Sequence, residues 1–437
     1  MIVLVLDLLT CMSYVHIFQQ RFHLADRKLM NIHMKRTWVL VLSFCMLTGM
    51  SIAQISSQWR GENRDGIYNE TNLLKEWPED GLKLLWSYNE LGSGHSSPII
   101  THDRIFIPDQ KDSIGYAYAF DLAGNVIWKT SYGTEWNEDY PGTRSTFTLY
   151  NNKLYILTAY SVAVCLDATT GNKIWDVDLK KKFGSIIPKF GKVESPLIFD
   201  DKIIFTPAGD SIAMVALNPA NGETIWESVG IEGNGSFCSP QLIEVAGKKI
   251  VVNSFANVIA GFDGNTGEFL WKHPQSNKYS INSNTPIFKD GYLYSTTGSG
   301  TGGVMLKLSE DGRSVTKVWQ DSLLDNQMGG AVWYKSMIVG SGDKNKSWFV
   351  LDWETGVVKF KSKPIGIGVV IFADDHFYGY SDKGELALMK LTDEGLGLVS
   401  KMKITLGSDQ HWSHPAIRNG VLYLRHGDTL MAYSLKQ

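Results

Sequence analysis

Hydrophobic residues beyond position 82 occur in short runs rich in Val, Ile, Phe and Tyr, and polar turns separate these runs. From Leu197 onward the runs LIF, IIFTP and IAMVAL are followed by a turn and a segment that ends at Trp226. Short β-branched and aromatic runs bounded by Gly, Pro, Asn and Asp predict β-strands. No helical stripe of hydrophobic residues appears outside the N-terminal leader. The pattern therefore predicts an all-β fold built from units of four strands.

A turn followed by tryptophan recurs along the chain. The segments GNVIW, GNKIW, GETIW and GEFLW end at tryptophans that are 47, 51 and 45 residues apart. Asp or Asn opens each turn and Gly closes it, because these residues favour the backbone conformations of tight turns. A period of about 40–50 residues is typical of a solenoid or a propeller. We expect the tryptophans to lie on outermost strands and to seal one blade against the next: Trp86, Trp128, Trp175, Trp226, Trp271 and Trp319.

The units can be counted from their first strands. Ser-Pro or Thr-Pro pairs open several of them, at Ser97, Ser195, Ser239 and Thr285. Seven units run from Ser97 to about Lys403, and a final unit begins at Ser413 but has no strand with tryptophan. The missing strand is predicted at Leu82–Tyr88, near the N-terminus. Joining it to the last three strands leaves no unpaired edge. We therefore predict an eight-bladed β-propeller of four-stranded antiparallel blades over residues 82–437.

The first 53 residues differ from the repeats. A short positive region at Met34–Arg36 precedes the apolar stretch Trp38–Met50, and small residues follow before Gln54. This is the form of a secretory signal peptide over residues 34–53, which predicts a periplasmic or extracellular protein with no transmembrane span after cleavage. Residues 1–33 are interpreted as a non-native upstream extension.

Residues 54–81 are interpreted as an N-terminal extension of the propeller. A lipid anchor at Cys45 is disfavoured, because the bulky Phe44 precedes it. Cys165 and Cys238 remain after the leader is removed, and they are either buried small residues or a pair. The net charge of −3 and the absence of a Lys/Arg run disfavour nucleic acid and anionic membranes as partners. We expect a monomer.

The turn-and-tryptophan pattern resembles the repeat of the pyrroloquinoline-quinone (PQQ)-like propeller family. Cys165–Trp175 and Gly261–Trp271 match that repeat best, and the resemblance covers about residues 82–437. The family includes quinoprotein dehydrogenases, the outer-membrane barrel assembly factor and uncharacterised secreted propellers. Gln58–Glu70 is similar to the N-terminal segment of the last group. The repeat is specific for the fold and not for one function. We predict a secreted or periplasmic non-catalytic binding or scaffold protein with a protein or carbohydrate partner, and envelope assembly is one such role.

The alternative is a PQQ-dependent dehydrogenase with a non-standard site. Dehydrogenases of the family hold the quinone with a vicinal cysteine disulfide and with Ca²⁺ bound by carboxylate and amide ligands, and an Asp serves as base. This chain has no adjacent cysteines, and no Ca²⁺ ligand set can be placed on it. We therefore expect no cofactor, whereas the alternative would require PQQ and Ca²⁺.

Propellers bind ligands at the mouth of the central channel. Polar residues just before the first strand of each unit are predicted to converge there: His95, Arg144, Glu194, Asn284, His411 and His414. Convergent polar groups in a concavity indicate a binding site. They can equally hydrogen-bond one another and channel water to close the ring. A third function, a lyase or hydrolase, would use four of them, namely His95, Arg144, Glu194 and His411.

Three further motifs are typical of binding sites: an aromatic loop, a pair of histidines and a glycine-rich segment. Trp136 and Tyr140 lie in an aromatic, acidic loop that can anchor a partner or stack on a sugar, or can pack against the N-terminal segment. His411-x-x-His414 has no matched third ligand, so a metal site is not predicted. Gly298–Gly303 matches G-x-G-x-x-G, but a strand follows it instead of a helix, so we expect a loop between strands.

Overall fold

The structure is a computed structural model that describes residues 58–231, 235 and 237–436. The predicted upstream extension (1–33) and signal peptide (34–53) lie outside the described residues. Two strands precede the first complete blade, β1 (Ile67–Tyr68) and β2 (Leu84–Tyr88). The strands that follow form eight blades, in agreement with the predicted propeller.

The first four blades follow one another along the chain. Blade 1 contains β3 (Ile99–Ile100), β4 (Arg104–Lys111), β5 (Ile114–Asp121) and β6 (Val126–Thr134). Blade 2 contains β7 (Thr148–Tyr150), β8 (Lys153–Leu157), β9 (Val162–Asp167) and β10 (Lys173–Asp178). Blade 3 contains β11 (Leu197–Phe199), β12 (Lys202–Phe205), β13 (Val215–Leu217) and β14 (Thr224–Glu227). Blade 4 contains β15 (Gln241–Val245), β16 (Lys248–Ser254), β17 (Val258–Asp263) and β18 (Phe269–Pro274).

The last four blades complete the ring. Blade 5 contains β19 (Ile287–Lys289), β20 (Tyr292–Thr297), β21 (Gly302–Leu308) and β22 (Val315–Gln320). Blade 6 contains β23 (Val332–Tyr334), β24 (Met337–Gly342), β25 (Ser347–Asp352) and β26 (Val358–Ser362). Blade 7 contains β27 (Gly368–Ala373), β28 (His376–Ser381), β29 (Glu385–Thr392) and β30 (Gly395–Lys403). Blade 8 contains β31 (Ala416–Arg418), β32 (Val421–His426), β33 (Thr429–Ser434) and the early strand β2.

The closure of the ring confirms the prediction made for the N-terminal strand. β2 pairs antiparallel with β33, with Trp86 opposite Ala432. The strand begins at Leu84, two residues later than the predicted start at Leu82. Blade 8 therefore holds strands from both ends of the propeller, which locks the ring because neither end can leave without breaking a sheet.

The repeated tryptophans lie on the outermost strands, and each blade contacts the turn of the next. The Trp175 indole N–H donates to the Pro219 carbonyl at 3.1 Å. A Cβ atom at Gly222, which has φ of 74°, would lie 3.0 Å from the Trp175 ring. Glycine is thus required there both for the positive φ and for the close approach of the ring. The hydrophobic core lies between neighbouring blades. For example, Tyr155 of blade 2 and Phe205 of blade 3 belong to one buried cluster.

Hydroxyl groups link the starts of successive blades. The Ser97 amide donates to Thr146 Oγ1, and the Thr146 amide donates to Ser195 Oγ, both at 3.0 Å. The Ser195 amide donates to Ser239 Oγ at 2.9 Å. The Ser-Pro pairs that mark the units in the sequence therefore connect adjacent blades around the channel.

Three other elements complete the description. A short helix, α1 (Leu179–Phe183), follows blade 2, with Asp178 as its N-cap. Gly298–Gly303 includes the turn between β20 and β21, as expected. Cys165 and Cys238 are both buried and form no disulfide bond with each other. Among the described residues, no helix has the length and apolar character to cross a membrane.

Candidate functional site

The N-terminal extension contributes a strand to the interior of the propeller, which the repeat pattern does not predict. β1 pairs parallel with β27 of blade 7, with Ile67 opposite Phe372. The Tyr68 hydroxyl donates to the Pro415 carbonyl, next to blade 8, at 3.3 Å. A fifth strand on the inner edge of a blade must lie in the channel, because the first strands of all blades surround the channel.

Two buried arginines of this segment bind opposite sides of the ring. Arg64 donates to the carbonyls of Ser195 and Pro196 at 2.7 and 2.8 Å, at the start of blade 3. Arg60 donates to the Ala331 carbonyl at 2.9 Å, at the start of blade 6, and contacts the Val370 carbonyl of blade 7 at 3.4 Å. Blades 3 and 7 face each other in a ring of eight. Residues 58–68, which we call the channel segment, therefore cross the channel.

Burial lowers the pKa of both arginines to about 10. They remain charged at neutral pH, and several of the groups that accept their hydrogen bonds are backbone carbonyls. The carbonyls of Ser195, Pro196 and Ala331, next to the innermost strands, thus receive the hydrogen bonds that buried backbone groups require.

A cavity of about 810 Å³ lies at the mouth of the channel. Trp59 of the channel segment forms part of its wall, so the segment closes the channel beside it. Aromatic and apolar side chains make up about half of the lining, and polar or charged side chains make up the rest. Its aromatic members are Trp59, Tyr140, Phe190, Phe237, Tyr279 and Trp412. Its charged and histidine members are His95, Arg144, Lys189, Asp343, Asp382 and His414.

The cavity brings together four of the eight predicted binding residues. They are His95, Arg144, His414 and Tyr140. Tyr140 is 50% exposed and its ring lies 5.4 Å from that of Trp412 and 6.2 Å from that of Phe190. The Arg144 guanidinium donates to the carbonyls of Tyr140 and Phe190, which fixes both aromatic residues at the cavity wall. Burial lowers the pKa of Arg144 to about 10, so it stays charged.

The two histidines of the cavity are buried and neutral. His414 accepts from Arg60 through Nδ1 at 3.3 Å and donates through Nε2 to the Met328 carbonyl at 3.1 Å. Neither ring nitrogen of His95 has a hydrogen-bond partner among the described residues. The backbone carbonyls of Pro141 and Gln410 lie near the His95 ring and favour its protonated form, which opposes part of the effect of burial on its pKa. Burial, reinforced by neighbouring arginines, lowers the pKa of both histidines to about 3.

Glu194 and Asn284 do not line the cavity, because their side chains hold neighbouring strands together. Glu194 accepts from the Thr206 amide at 3.1 Å, and burial raises its pKa while the adjacent Lys192 opposes that rise. Asn284 donates to the carbonyls of Thr296 and Asn326 at 3.1 and 2.7 Å. For these two residues the structure shows the alternative that the sequence left open, namely hydrogen bonds that close the ring.

His411 and Trp136 are also placed outside the cavity lining. His411 Nδ1 lies 2.5 Å from the Tyr380 hydroxyl, and its ring stacks on His426 at 3.7 Å. Trp136 is 6% exposed, and its ring packs against Tyr160 at 5.8 Å. A buried Trp136 cannot serve as a surface anchor, and its contact is with Tyr160 instead of the N-terminal segment.

The third function considered from sequence required His95, Arg144, Glu194 and His411 in one site. Two of them line the cavity and two do not. The described residues also contain no group of three His, Cys, Asp or Glu side chains arranged to hold a metal ion. Thus the arrangement does not assemble the acid, base and electrophile that this chemistry needs.

The residues present do not fit the quinone site of the family's dehydrogenases. The cysteine pair is missing, since Cys165 lies in β9 of blade 2, Cys238 precedes β15 of blade 4, and no disulfide joins them. Residues 58–68 also pass through the channel. The expectation of no cofactor stays a prediction, and a titration can test it.

Sequence reasoning missed Trp59, Lys189, Tyr279 and Trp412 as members of the cavity. The sequence did offer a signal for Trp412, because this residue lies between His411 and His414 in the loop before the last unit. Trp59 gave no such signal, since it belongs to no repeat.

Comparison with known proteins gives both a family and a fold. The family model PQQ_2, described as outer membrane protein assembly factor BamB, matches residues 113–362, more than half of the chain. Tetrathionate hydrolase of Acidithiobacillus ferrooxidans is 24% identical over 231 residues, which cover 49% of this chain and 44% of that protein. The chain thus spans less than half the length of this curated relative.

Two solved structures are similar over most of the chain. BamB from Moraxella catarrhalis has a TM-score of 0.58 and 16% identity, covering 81% of this chain and 99% of that one. A europium-containing methanol dehydrogenase has a TM-score of 0.60 and 13% identity, covering 85% and 90%. At these identities the likeness shows the propeller fold alone.

Proposed function

This chain belongs to the PQQ-like β-propeller family described as outer membrane protein assembly factor BamB, and from that premise we propose that it is a non-catalytic binding scaffold of the cell envelope. Its binding site is the cavity at the channel mouth. The family match supports the envelope setting. The signal-peptide form of residues 34–53 supports export across the inner membrane.

The observation that carries the proposal is the shape and chemistry of the cavity. Its volume of about 810 Å³ is within the roughly 300–1,000 Å³ range of ligand sites. Tyr140 and Tyr279, which are 50% and 60% exposed, present large apolar faces to solvent at its rim. Aromatic residues with a polar tip are favoured in binding sites because they bury much area at a low cost in conformational entropy.

The cavity supports binding better than catalysis. Its histidines are buried as neutral rings, and the Arg144 guanidinium is occupied by backbone carbonyls. Glu194, the carboxylate predicted from sequence, hydrogen-bonds to the Thr206 amide. A general acid or base must reach the proton that it transfers, and Glu194 is held by Thr206 outside the cavity lining.

Site-specific photo-crosslinking in the native host tests this proposal. A benzophenone side chain at Tyr279 reports on the cavity rim, and the same group at Val357, which is 57% exposed in the turn between β25 and β26 of blade 6, serves as the matched control. We expect adducts of protein or glycan at Tyr279 and none at Val357. Equal adducts at both positions, or adducts at Val357 alone, would place the binding surface elsewhere and refute the proposal.

A further inference from the structure

The charges around the cavity are separated by sign. Arg144 lies at the start of blade 2 and Lys189 lies before blade 3. Asp343 follows the second strand of blade 6, and Asp382 follows the second strand of blade 7. Blades 2 and 6 face each other in a ring of eight, and so do blades 3 and 7. One wall of the cavity is therefore cationic and the opposite wall is anionic.

Lys189 and Asp382 are the charges most available to a ligand, whereas the Arg144 guanidinium also donates to the carbonyls of Tyr140 and Phe190 and adds its positive charge to the cationic wall. Within the part of the chain that the structure describes, neither Arg144 nor Lys189 forms an ion pair, and Lys189 only lies over the Phe190 ring at 5.2 Å. On the other wall, Asp343 pairs with Lys346 at 2.5 Å, and no basic side chain of the described residues pairs with Asp382. A carboxylate on a ligand would complete the cationic wall.

Three aromatic residues of the lining cluster around Tyr140, next to Arg144 and Lys189. The Tyr140 ring contacts the rings of Phe190 and Trp412, and the Trp412 ring lies 4.9 Å from the His95 ring. Tyr279 projects at the rim on the side of blade 5, where it is 60% exposed. Aromatic faces carry partial negative charge, which favours contact with polarised C–H groups. The C–H face of a sugar ring presents such groups.

His95 provides an independent indication of a polar ligand. Its side chain is buried and lines the cavity, and the backbone carbonyls of Pro141 and Gln410 lie near its ring. A neutral imidazole has one donor and one acceptor nitrogen, and carbonyls can only accept, so the acceptor nitrogen has no donor among the described residues, which is unfavourable in a buried position. A hydroxyl group can satisfy either nitrogen, because it both donates and accepts.

We infer that the cavity binds an acidic oligosaccharide, a short chain of uronic acid residues. This inference rests on the proposed function, since it names the ligand of the same cavity. Carboxylates of the sugar face Arg144 and Lys189, the C–H faces stack on Tyr140 and Trp412, and the hydroxyls donate to Asp382. Each class of lining group thereby gains a partner of matching chemistry.

An acidic peptide fits the anionic wall less well. Asp382 and Asp343 would repel the carboxylates of either ligand, so the difference lies in the donors, and the only regular donors of a peptide are backbone amides. A uronic acid chain carries hydroxyl donors on every ring as well as its carboxylates. The presence of carboxylates on one wall and cations on the other therefore favours the sugar.

Isothermal titration calorimetry on the mature protein tests the inference. The probes are tetramers of galacturonate, mannuronate and guluronate, a neutral galactose tetramer, and tetraglutamate. We expect saturable binding of at least one uronate tetramer. The neutral tetramer should bind more weakly by about tenfold or more, and the affinity for the uronate should fall as the sodium chloride concentration is raised. Lys189→Glu should weaken uronate binding by about tenfold, a change equal to about 1.4 kcal/mol.

A matched variant controls for the change in net charge. Lys272→Glu alters the same charge on the exposed outer strand of blade 4 and should leave uronate binding unchanged. Tyr140→Ala should abolish stacking and weaken every sugar that binds, while circular dichroism shows an intact fold.

Each other outcome overturns the inference. Equal affinity for the neutral tetramer removes the requirement for acid groups, and tighter binding of tetraglutamate identifies an acidic peptide as the ligand. No binding of any uronate refutes an acidic sugar altogether. The crosslinking at Tyr279 decides separately whether the cavity binds a partner, so the proposed function can stand when this inference fails.

Discussion

Replacing Arg64 with alanine is expected to release the channel segment. Arg64 is 3% exposed, and it donates to Ser195 and Pro196 carbonyls at 2.7 and 2.8 Å and to Gln58 Oε1 at 3.0 Å. Hydrogen bonds that involve a charged group contribute about 1.5–3 kcal/mol each, and desolvation of the buried charge offsets part of that gain. We therefore expect Arg64→Ala to destabilise the docked segment by about 3 kcal/mol.

This loss should appear as local opening, because the ring does not depend on the segment for its closure. β2 pairs with β33 whether or not β1 is docked. The Phe372 amide of blade 7 donates to the Gly66 carbonyl at 2.8 Å, so its hydrogen exchange reports on docking. Since about 1.4 kcal/mol corresponds to a factor of ten in a population, exchange in residues 58–68 and at Phe372 should accelerate by about 100-fold.

Two control variants separate the anchor from a general effect of charge. Arg64→Lys keeps the charge but lacks the planar group that reaches both carbonyls, so exchange should be intermediate. Arg313→Ala removes an exposed arginine that pairs with Glu268, and exchange in the channel segment should not change. Unchanged exchange in Arg64→Ala would refute the anchoring role. Global unfolding of that variant would refute the separate opening of the segment.

Three further predictions address the cavity, the blades and the cofactor. Burial lowers the pKa values of His95 and His414 to about 3, so their contribution to stability is present above pH 6.5 and is lost as the pH falls. The free energy of unfolding measured with urea should fall by up to about 2 kcal/mol per histidine between pH 7 and 5. A stability that does not change with pH over this range would contradict the prediction. Trp175→Ala should cost about 3–5 kcal/mol in the same assay, whereas Val357→Ala should stay within about 0.5 kcal/mol; equal effects would refute blade sealing. Titration of the mature protein with PQQ and Ca²⁺ should change neither absorbance nor melting temperature, and saturable binding with dye reduction would instead support a dehydrogenase.

The propeller fold could be predicted from the sequence because the residues that each blade requires recur at a regular period. Each blade needs a tight turn and a large side chain against the next blade, so Gly222 and Trp175 have counterparts at a regular period. The closure by β2 followed from counting strands, since a unit without its fourth strand leaves an edge. These are local or periodic requirements, and a single sequence displays them directly.

The cavity was predicted only in part, because spacing gives the position of a residue but not the direction of its side chain. His95 and Glu194 both stand just before the first strand of a blade, yet His95 lines the cavity whereas Glu194 hydrogen-bonds to Thr206 within blade 3. The choice depends on which backbone amides lie nearby in the folded ring. Contacts of that kind join residues far apart in the sequence, and no periodicity encodes them.

The channel segment shows how one non-repeating stretch changes the chemistry of a repeating fold. Arg60 and Arg64 bind backbone carbonyls of opposite blades, so their positive charges are held on the axis with few acidic side chains to neutralise them. Trp59 of the same segment then becomes part of the cavity wall. The cavity beside the segment is a recess of about 810 Å³, and two of its exposed rim residues are Tyr140 and Tyr279. A recess of this form suits the end or a side branch of a chain molecule, since such a ligand can enter from the mouth and its remainder can stay in solvent.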